Sequence, residues 1–169
     1  SQDILLSQPK KLTNKITEYE IIGRTKQGII VHKWGDRYHL LEAYHNKTLG
    51  LAWEKELLLN DKKAEIQVII PYANEMLIIY TVKDKRTTNL YARKVNDVLK
   101  DLSGDILLDS TEKAFGAYSP KYEVKYAQKR NFISIIRYDY DFNGISNINV
   151  LLLNKEGQAL GQKDIAFDE

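Results

Sequence analysis

The chain has 169 residues, enough for one ordinary domain with a hydrophobic core. Its 25 basic and 23 acidic side chains leave a formal net charge of +2, and the lysines are scattered, so no clustered basic face for nucleic acid is indicated. The absence of cysteine excludes disulfides, thiolate catalysis and cysteine zinc sites, and no apolar run approaches the roughly 20 residues of a membrane-spanning helix.

Residues 1–15 are predicted to be an N-terminal extension. The stretch "SQDILLSQPKKL" is polar and lysine-bearing after a short apolar patch, and it begins with serine. Such a start is expected of a mature exported protein in the periplasm or outside the cell. A cloned fragment would look the same, so the cytoplasm is the alternative location.

Residues 16–169 are predicted to form a single all-β domain of three repeats, at 16–61, 64–110 and 122–169. Short runs rich in Ile, Val, Tyr and Leu are separated by Gly, Asn, Asp and Lys, a pattern typical of strands and turns. In each repeat a mixed strand and a tight polar turn precede the most apolar strand, which reads "IIVHKW", "LIIYTV" or "ISIIRYDY". We therefore predict consecutive four-stranded antiparallel meanders.

The last turn of each repeat is expected to carry a leucine, namely Leu49, Leu99 or Leu160, before a fourth strand. One stretch, 87–105, also fits a helix, because its leucines and valines approximate a helical stripe. Its counterparts in the other two repeats are predicted to be strand, turn and strand. Consistency among the repeats favours the same structure here.

These repeats resemble the blades of a β-propeller, and the resemblance covers residues 16–169. It depends on the strand pattern alone, since the sequence has no WD dipeptide and no kelch di-glycine. Three blades are fewer than the typical 4–8 of a closed propeller, so the resemblance implies a partial or open propeller. Further blades in a longer chain, or a second copy in a homo-oligomer, would cover the open faces. A β-sandwich or barrel is the alternative architecture.

The stretch "DYDFNGISN" at 139–147 matches the ligand spacing of a calcium loop, with a glycine at the sixth position. The candidate ligands are Asp139, Asp141, Asn143, the carbonyl of Ile145, and Asn147. The bidentate glutamate expected at position 12 is replaced by a valine, so any site would bind Ca²⁺ weakly.

A plain hairpin is the competing interpretation of this stretch and the one we favour. Asn-Gly is a strong hairpin signal, because both residues tolerate a positive φ. Arg137 lies on the same face of the preceding strand as Asp139 and could neutralise it. A weak structural Ca²⁺ is therefore the alternative, and no other cofactor is expected.

Four aromatic residues cluster in the first repeat: Trp34, Tyr38, Tyr44 and Trp53. An exposed platform of aromatic side chains could bind a glycan or a peptide. Aromatic residues are also favoured in strands for packing, which gives the competing interpretation.

No catalytic residue is predicted. His32, His39 and His45 all fall in the first repeat, but they lack the spacing of a zinc site. Glu54 and Glu56 share a strand face and could form an acid–base pair, yet exposed strand charges have the same pattern.

The function expected from the sequence is a non-catalytic binding or scaffold module for a protein, peptide or glycan. A hydrolase with its site among the inter-blade loops and a calcium-stabilised structural module are the alternatives. This expectation depends on the absence of a catalytic motif and on analogy with repeat folds.

Overall fold

The computed structural model describes residues 15–127 and 129–166. Within these residues the regular structure consists of strands, and no helix long and apolar enough to cross a membrane occurs among them. The strands form three separate four-stranded antiparallel sheets, each a meander in chain order. The predicted all-β class and the predicted meanders are confirmed.

The bounds of the strands follow the chain without a crossover. Sheet 1 contains β1 (Glu18–Thr25), β2 (Gly28–Gly35), β3 (Tyr38–Tyr44) and β4 (Leu51–Glu56). Sheet 2 contains β5 (Ala64–Pro71), β6 (Glu75–Asp84), β7 (Thr87–Asn96) and β8 (Ile106–Glu112). Sheet 3 contains β9 (Lys121–Tyr126), β10 (Phe132–Tyr140), β11 (Ile145–Asn154) and β12 (Ala159–Ala166). The ambiguous stretch 87–105 is a strand followed by a turn, not a helix, and the second predicted strand, β8, begins directly after it.

The turns between the third and fourth strands share one construction in sheets 2 and 3. The side-chain oxygen of Asn96 accepts hydrogen bonds from the N–H groups of Val98 and Lys100, at 3.0 and 2.8 Å. Asn154 makes the same pair of bonds to the second and fourth residues after it, both at 3.0 Å. An asparagine can replace a backbone acceptor in this way, which explains its place at these turns.

The predicted turn leucine is correct in two of the three sheets. Leu49 and Leu99 lie in their turns with φ of 54° and 63°. The prediction for Leu160 was wrong, because Leu160 lies in β12 and Gly157, with φ 77°, holds the left-handed position of the third turn. Glycine adopts this conformation without the steric cost that a leucine has.

The sheets are stacked face to face in chain order. We call the face that a sheet turns to the following sheet its forward face, and the opposite face its back face. On the forward face of sheet 1, Ile30, Leu41 and Ala43 pack against Met76, Ile78 and Val95 of the back face of sheet 2. On the forward face of sheet 2, Leu77, Ile79 and Ala92 pack against Ile133, Ile135 and Leu153 of the back face of sheet 3. Two hydrophobic cores therefore separate three layers.

Sheet 2 is the middle layer, and its second strand shows the consequence. Residues 76–82 of β6 are all buried, whereas β2 alternates between buried and half-buried positions. A strand covered on both faces has no solvated side, so its sequence is continuously apolar instead of alternating. The run "MLIIY" at 76–80 is thus the centre of the molecule.

The turns that follow β1, β5 and β9 link the layers at one end. The N–H of Lys26 donates to the carbonyl of Ala73 at 2.6 Å, and the hydroxyl of Tyr72 donates to the carbonyl of Arg130 at 2.8 Å. Gly23, with φ 139°, allows the first of these approaches, because a Cβ there would lie 2.7 Å from a ring carbon of Pro71. The stack is a connected array, but it is not closed into a ring.

Candidate functional site

A groove with a volume of about 660 Å³ lies between sheets 1 and 2, at the end of the stack that carries the β2–β3 hairpin. Sheet 1 contributes Glu20 of β1, His32 and Trp34 of β2, and His39 of β3. Sheet 2 contributes residues 65–68 of its edge strand β5, and Lys83 of β6. Asp36, Arg37, Lys62 and Lys63 of the adjoining turns also line it. We call this space the groove.

The register of sheet 1 explains why these side chains meet there. His32 pairs with Glu20 on one side and with Leu41 on the other, and Trp34 pairs with His39. All of these positions belong to the forward face, which is filled by aliphatic residues deeper in the core. The forward face of sheet 1 is therefore aliphatic in the core and becomes aromatic and polar towards the β2–β3 hairpin.

His32 and His39 form a hydrogen-bonded pair in the floor of the groove. The Nε2 of His32 lies 3.1 Å from the Nδ1 of His39, and the His32 ring stacks on Trp34 with centroids 4.7 Å apart. Burial and, second, the nearby His39 lower the pKa of His32 to about 4, and burial also lowers the pKa of His39. Both rings are therefore neutral at pH 7, and one donates to the other.

The polar side chains that sheet 2 contributes to the groove partly bond to one another. Lys83 lies 3.4 Å from Glu65, both with exposed side chains. The amide of Gln67 donates to the hydroxyl of Thr81 at 3.1 Å and to the carbonyl of Glu65 at 3.3 Å. The groove therefore offers carboxylate, amide and ammonium groups together with the aromatic side chain of Trp34, a combination typical of sites for polar ligands.

The four predicted aromatic residues do not share one surface. Trp34 and Trp53 lie on the forward face of sheet 1, whereas Tyr38 and Tyr44 lie on its back face. Only Trp34 lines the groove. Trp53 packs against the first core, and its indole N–H is buried without an acceptor. The register explains the separation, because Trp34 pairs with His39 and Trp53 pairs with Ala43. His39 and Ala43 are the neighbours of Tyr38 and Tyr44 along β3, and neighbouring residues of a strand point to opposite faces.

On the back face, Tyr44 belongs to a buried charged cluster. Its hydroxyl donates to Glu42 at 2.6 Å, and the ammonium of Lys33 lies 2.7 Å from the same carboxylate, which is 0 % exposed. Burial, with the hydrogen bond to Glu42 and its charge, raises the pKa of Tyr44 to about 12. This tyrosine therefore has a structural role in sheet 1.

The stretch "DYDFNGISN" forms the hairpin between β10 and β11. One carboxylate oxygen of Asp141 accepts hydrogen bonds from the N–H groups of Asn143 and Gly144, at 2.7 and 3.1 Å. Arg137 donates two hydrogen bonds to Asp139, at 2.9 and 3.0 Å. The carboxylates that would bind Ca²⁺ are thus engaged with the turn backbone and with an arginine.

The remaining predicted calcium ligands are positioned as follows. The amide of Asn147 donates to Asp139 and to Asp164, both at 3.3 Å, while Ile145 begins β11 and pairs with Tyr140. Asn143 is exposed at the hairpin tip. Within residues 15–127 and 129–166, no group of three or more His, Cys, Asp or Glu side chains is arranged to hold a metal ion.

An ion network between sheets 2 and 3 was not predicted from the sequence. Arg137 also donates to both oxygens of Asp109 on β8, at 2.9 and 2.7 Å, and Asp109 accepts a bond from Tyr122 at 2.8 Å. Burial opposes the charge of Arg137, but hydrogen bonds to Asp139 and Asp109 outweigh it and raise the pKa. No local pattern could have predicted this network, because Asp109 and Arg137 belong to different repeats.

The groove also places acidic residues from two repeats around one cavity. Glu20 comes from the first repeat and Glu65 from the second, and both line the groove. Glu54 and Glu56, the pair considered from the sequence, instead lie on the back face of sheet 1, opposite Glu42 and Leu40. A carboxylate pair for acid–base chemistry would therefore involve Glu20 and Glu65.

Comparison with known proteins identifies no family for this chain. Neither a protein-family model nor a curated protein matches the chain, and no solved structure matches it.

Proposed function

We propose that this chain is a non-catalytic binding module whose groove between sheets 1 and 2 takes a segment of a peptide or glycan. The observation that carries the proposal is the indole of Trp34 in a cavity of about 660 Å³ that is lined mostly by polar side chains, together with Ile66 and Val68. An aromatic ring contributes apolar contact area, and a few surrounding polar groups fix the orientation of the ligand.

The neutral histidine pair supports this role. Because His32 and His39 bond to each other and are uncharged, the floor of the groove does not select strongly for an anion or a cation. The surrounding side chains carry charges of both signs, including Glu20, Lys62 and Lys83. A neutral or zwitterionic polar ligand suits such a lining better than a highly charged one.

Tryptophan fluorescence tests the proposal, because the chain has only 2 tryptophans. In Trp53→Phe, Trp34 is the sole indole, and the buried N–H without an acceptor is removed. We expect a saturable change in fluorescence when a panel of soluble oligosaccharides or of short peptides contains the ligand class. The panel that responds distinguishes a glycan from a peptide.

Two variants make the test specific. Trp34→Phe should weaken binding by roughly tenfold or more in calorimetry, as expected for loss of a central aromatic contact. Tyr38→Phe, on the opposite face of sheet 1, should leave the affinity unchanged. Equal effects of the two variants, or no saturable response to either panel, would contradict the proposal.

A hydrolase is the second candidate, supported by Glu20 and Glu65, which both line the groove. In this case one carboxyl would act as acid and the other as base or nucleophile. Release of product from the responding ligand, abolished in both Glu20→Gln and Glu65→Gln, would establish it. Binding without release would leave the non-catalytic function.

A further inference from the structure

Sheet 3 exposes the face that sheets 1 and 2 use to pack on their neighbours. The residue pairs next to the last turn of each sheet, Ile29 with Tyr44, Met76 with Val95 and Ile133 with Leu153, set the three sheets in register. Counting from these pairs, four residues of sheet 3 occupy forward-face positions: Ile136, Ile148, Val150 and Leu152. We call them the sheet 3 patch.

The equivalent positions in sheet 2 are buried by the following sheet. Ile79, Leu90 and Ala92 correspond to Ile136, Ile148 and Val150, and all three are 0 % exposed. In the sheet 3 patch the residues are half-buried or, for Leu152, 37 % exposed. Phe132 and Ile165 extend the patch on the same face, with 59 % and 45 % exposed. The forward face of sheet 3 is thus apolar, although no fourth sheet covers it within the described residues.

A complementary face exists at the other end of the stack. On the back face of sheet 1, Tyr19, Ile21 and Leu51 are 73 %, 71 % and 45 % exposed. Ile21 occupies the register position of Ile69 in sheet 2, which is 2 % exposed beneath sheet 1. Exposed large apolar residues on one face of a sheet are typical of interaction surfaces.

The back face of sheet 1 resembles the back face of sheet 2, which sheet 1 covers. At its centre Glu42 is buried with Lys33 and Tyr44, and at the same register position of sheet 2 Arg93 is buried with Asp105. In both sheets the central charge is neutralised within the back face. In sheet 1 the exposed Glu54 and Glu56 also lie on this face, opposite Glu42 and Leu40. The forward face of sheet 1 already packs on one such surface.

We propose that two copies of this chain associate head to tail, with the sheet 3 patch of each copy packed on the back face of sheet 1 of the other. The contact repeats the forward-to-back packing that joins sheets 1 and 2 and sheets 2 and 3 within one copy. Two copies of three sheets give six, which is within the typical 4–8 sheets of a closed propeller. A heterologous contact whose rotation closes forms a ring without free faces.

Light scattering and sedimentation of the full chain measure the association. We expect a dimer that dissociates on dilution, and we expect Val150→Glu to raise the dissociation constant at least roughly tenfold, because it places a charge in the apolar contact. Leu107→Glu is the matched control, since Leu107 is 56 % exposed on β8 and lies outside the proposed contact. Circular dichroism of both variants checks that the sheets are retained.

Engineered thiols determine the orientation, because the chain has no cysteine of its own. Ile21→Cys and Leu152→Cys are purified separately, and a short bis-maleimide is added to each alone and to their mixture. We expect covalent dimers mainly in the mixture. Equally efficient crosslinking of Leu152→Cys alone would indicate like-to-like pairing and overturn the proposal, as would a monomer at every concentration up to the high micromolar range.

Discussion

His32 is buried beside His39, and this burial links the stability of sheet 1 to pH. The folded-state pKa of His32 is about 4, against an ordinary value of 6.5. As pH falls below 6.5, the unfolded chain binds a proton that the folded chain resists. The contribution of His32 to stability is therefore complete above pH 6.5 and is lost as pH falls towards 4.

We expect this proton linkage to cost about 3 kcal/mol of unfolding free energy between pH 6.5 and 4, at roughly 1.4 kcal/mol per pKa unit. Denaturant titrations at several pH values measure it. His32→Gln should flatten this part of the pH profile, whereas His45→Gln, at an exposed turn position, should leave the profile unchanged. Identical profiles for wild type and His32→Gln would contradict the assignment.

Arg93 is a second residue on which stability depends strongly. Its guanidinium donates two hydrogen bonds to Asp105, at 2.6 and 2.9 Å, and a third to the carbonyl of Leu58 at 3.0 Å. Arg93→Met leaves a poorly solvated carboxylate without its partner, so we expect a loss of about 3–5 kcal/mol in urea unfolding. Arg86→Met removes an exposed pair with Glu112 and two exposed hydrogen bonds to the carbonyl of Lys113, and it should cost about 1 kcal/mol.

At the scale of elements, the β10–β11 hairpin accounts for the calcium-like spacing of "DYDFNGISN". Asp141 closes the turn through two backbone N–H groups, and Asp139 is held by Arg137. A tight turn and a calcium loop both require side-chain oxygens at alternate positions and a glycine. The same sequence pattern is therefore compatible with either structure.

We therefore expect the melting temperature to be the same in EDTA and in millimolar Ca²⁺. Asp141→Ala should lower stability by about 1 kcal/mol in either condition, through loss of the turn hydrogen bonds. Asn143→Ala is the control, because its exposed side chain is a candidate ligand without the capping role of Asp141. A rise in melting temperature with Ca²⁺ that Asn143→Ala abolishes would establish the weak calcium site.

At the scale of the whole molecule, burial is distributed unevenly among the three equivalent sheets. Ile79 in sheet 2 and Ile136 in sheet 3 hold the same register position, yet Ile79 is 0 % exposed and Ile136 is only half-buried. The contribution of a side chain to the unfolding free energy depends on how deeply its neighbours bury it. Identical residues at equivalent positions therefore contribute differently at the middle and at the end of the stack.

Ile79→Ala should therefore cost about 2–5 kcal/mol of unfolding free energy, whereas Ile136→Ala should cost clearly less at a concentration where one copy is monomeric. Raising the protein concentration should enlarge only the effect of Ile136→Ala if the sheet 3 patch becomes buried between copies. Equal costs at both positions in dilute solution would show that the forward face of sheet 3 is covered within one copy.

Much of the element pattern could be predicted because strand signals are local. Alternating apolar residues and polar turns located the meanders, and consistency among repeats correctly favoured a strand and turn over a helix at 87–105. The prediction of a turn leucine was wrong at Leu160, because Gly157 adopts the left-handed conformation that the turn requires. Local sequence specifies a conformation, and more than one residue can supply it.

The sequence by itself determined the strands, their order and the three repeated sheets, since these depend on neighbours along the chain. Only the tertiary structure decided which face each side chain occupies and what covers it. It separated Trp34 from Tyr38 and Tyr44, brought Glu20 and Glu65 to one groove, and joined Arg137 to Asp109. The physical reason is that stacking of sheets sets contacts between distant repeats, and no local pattern encodes such contacts.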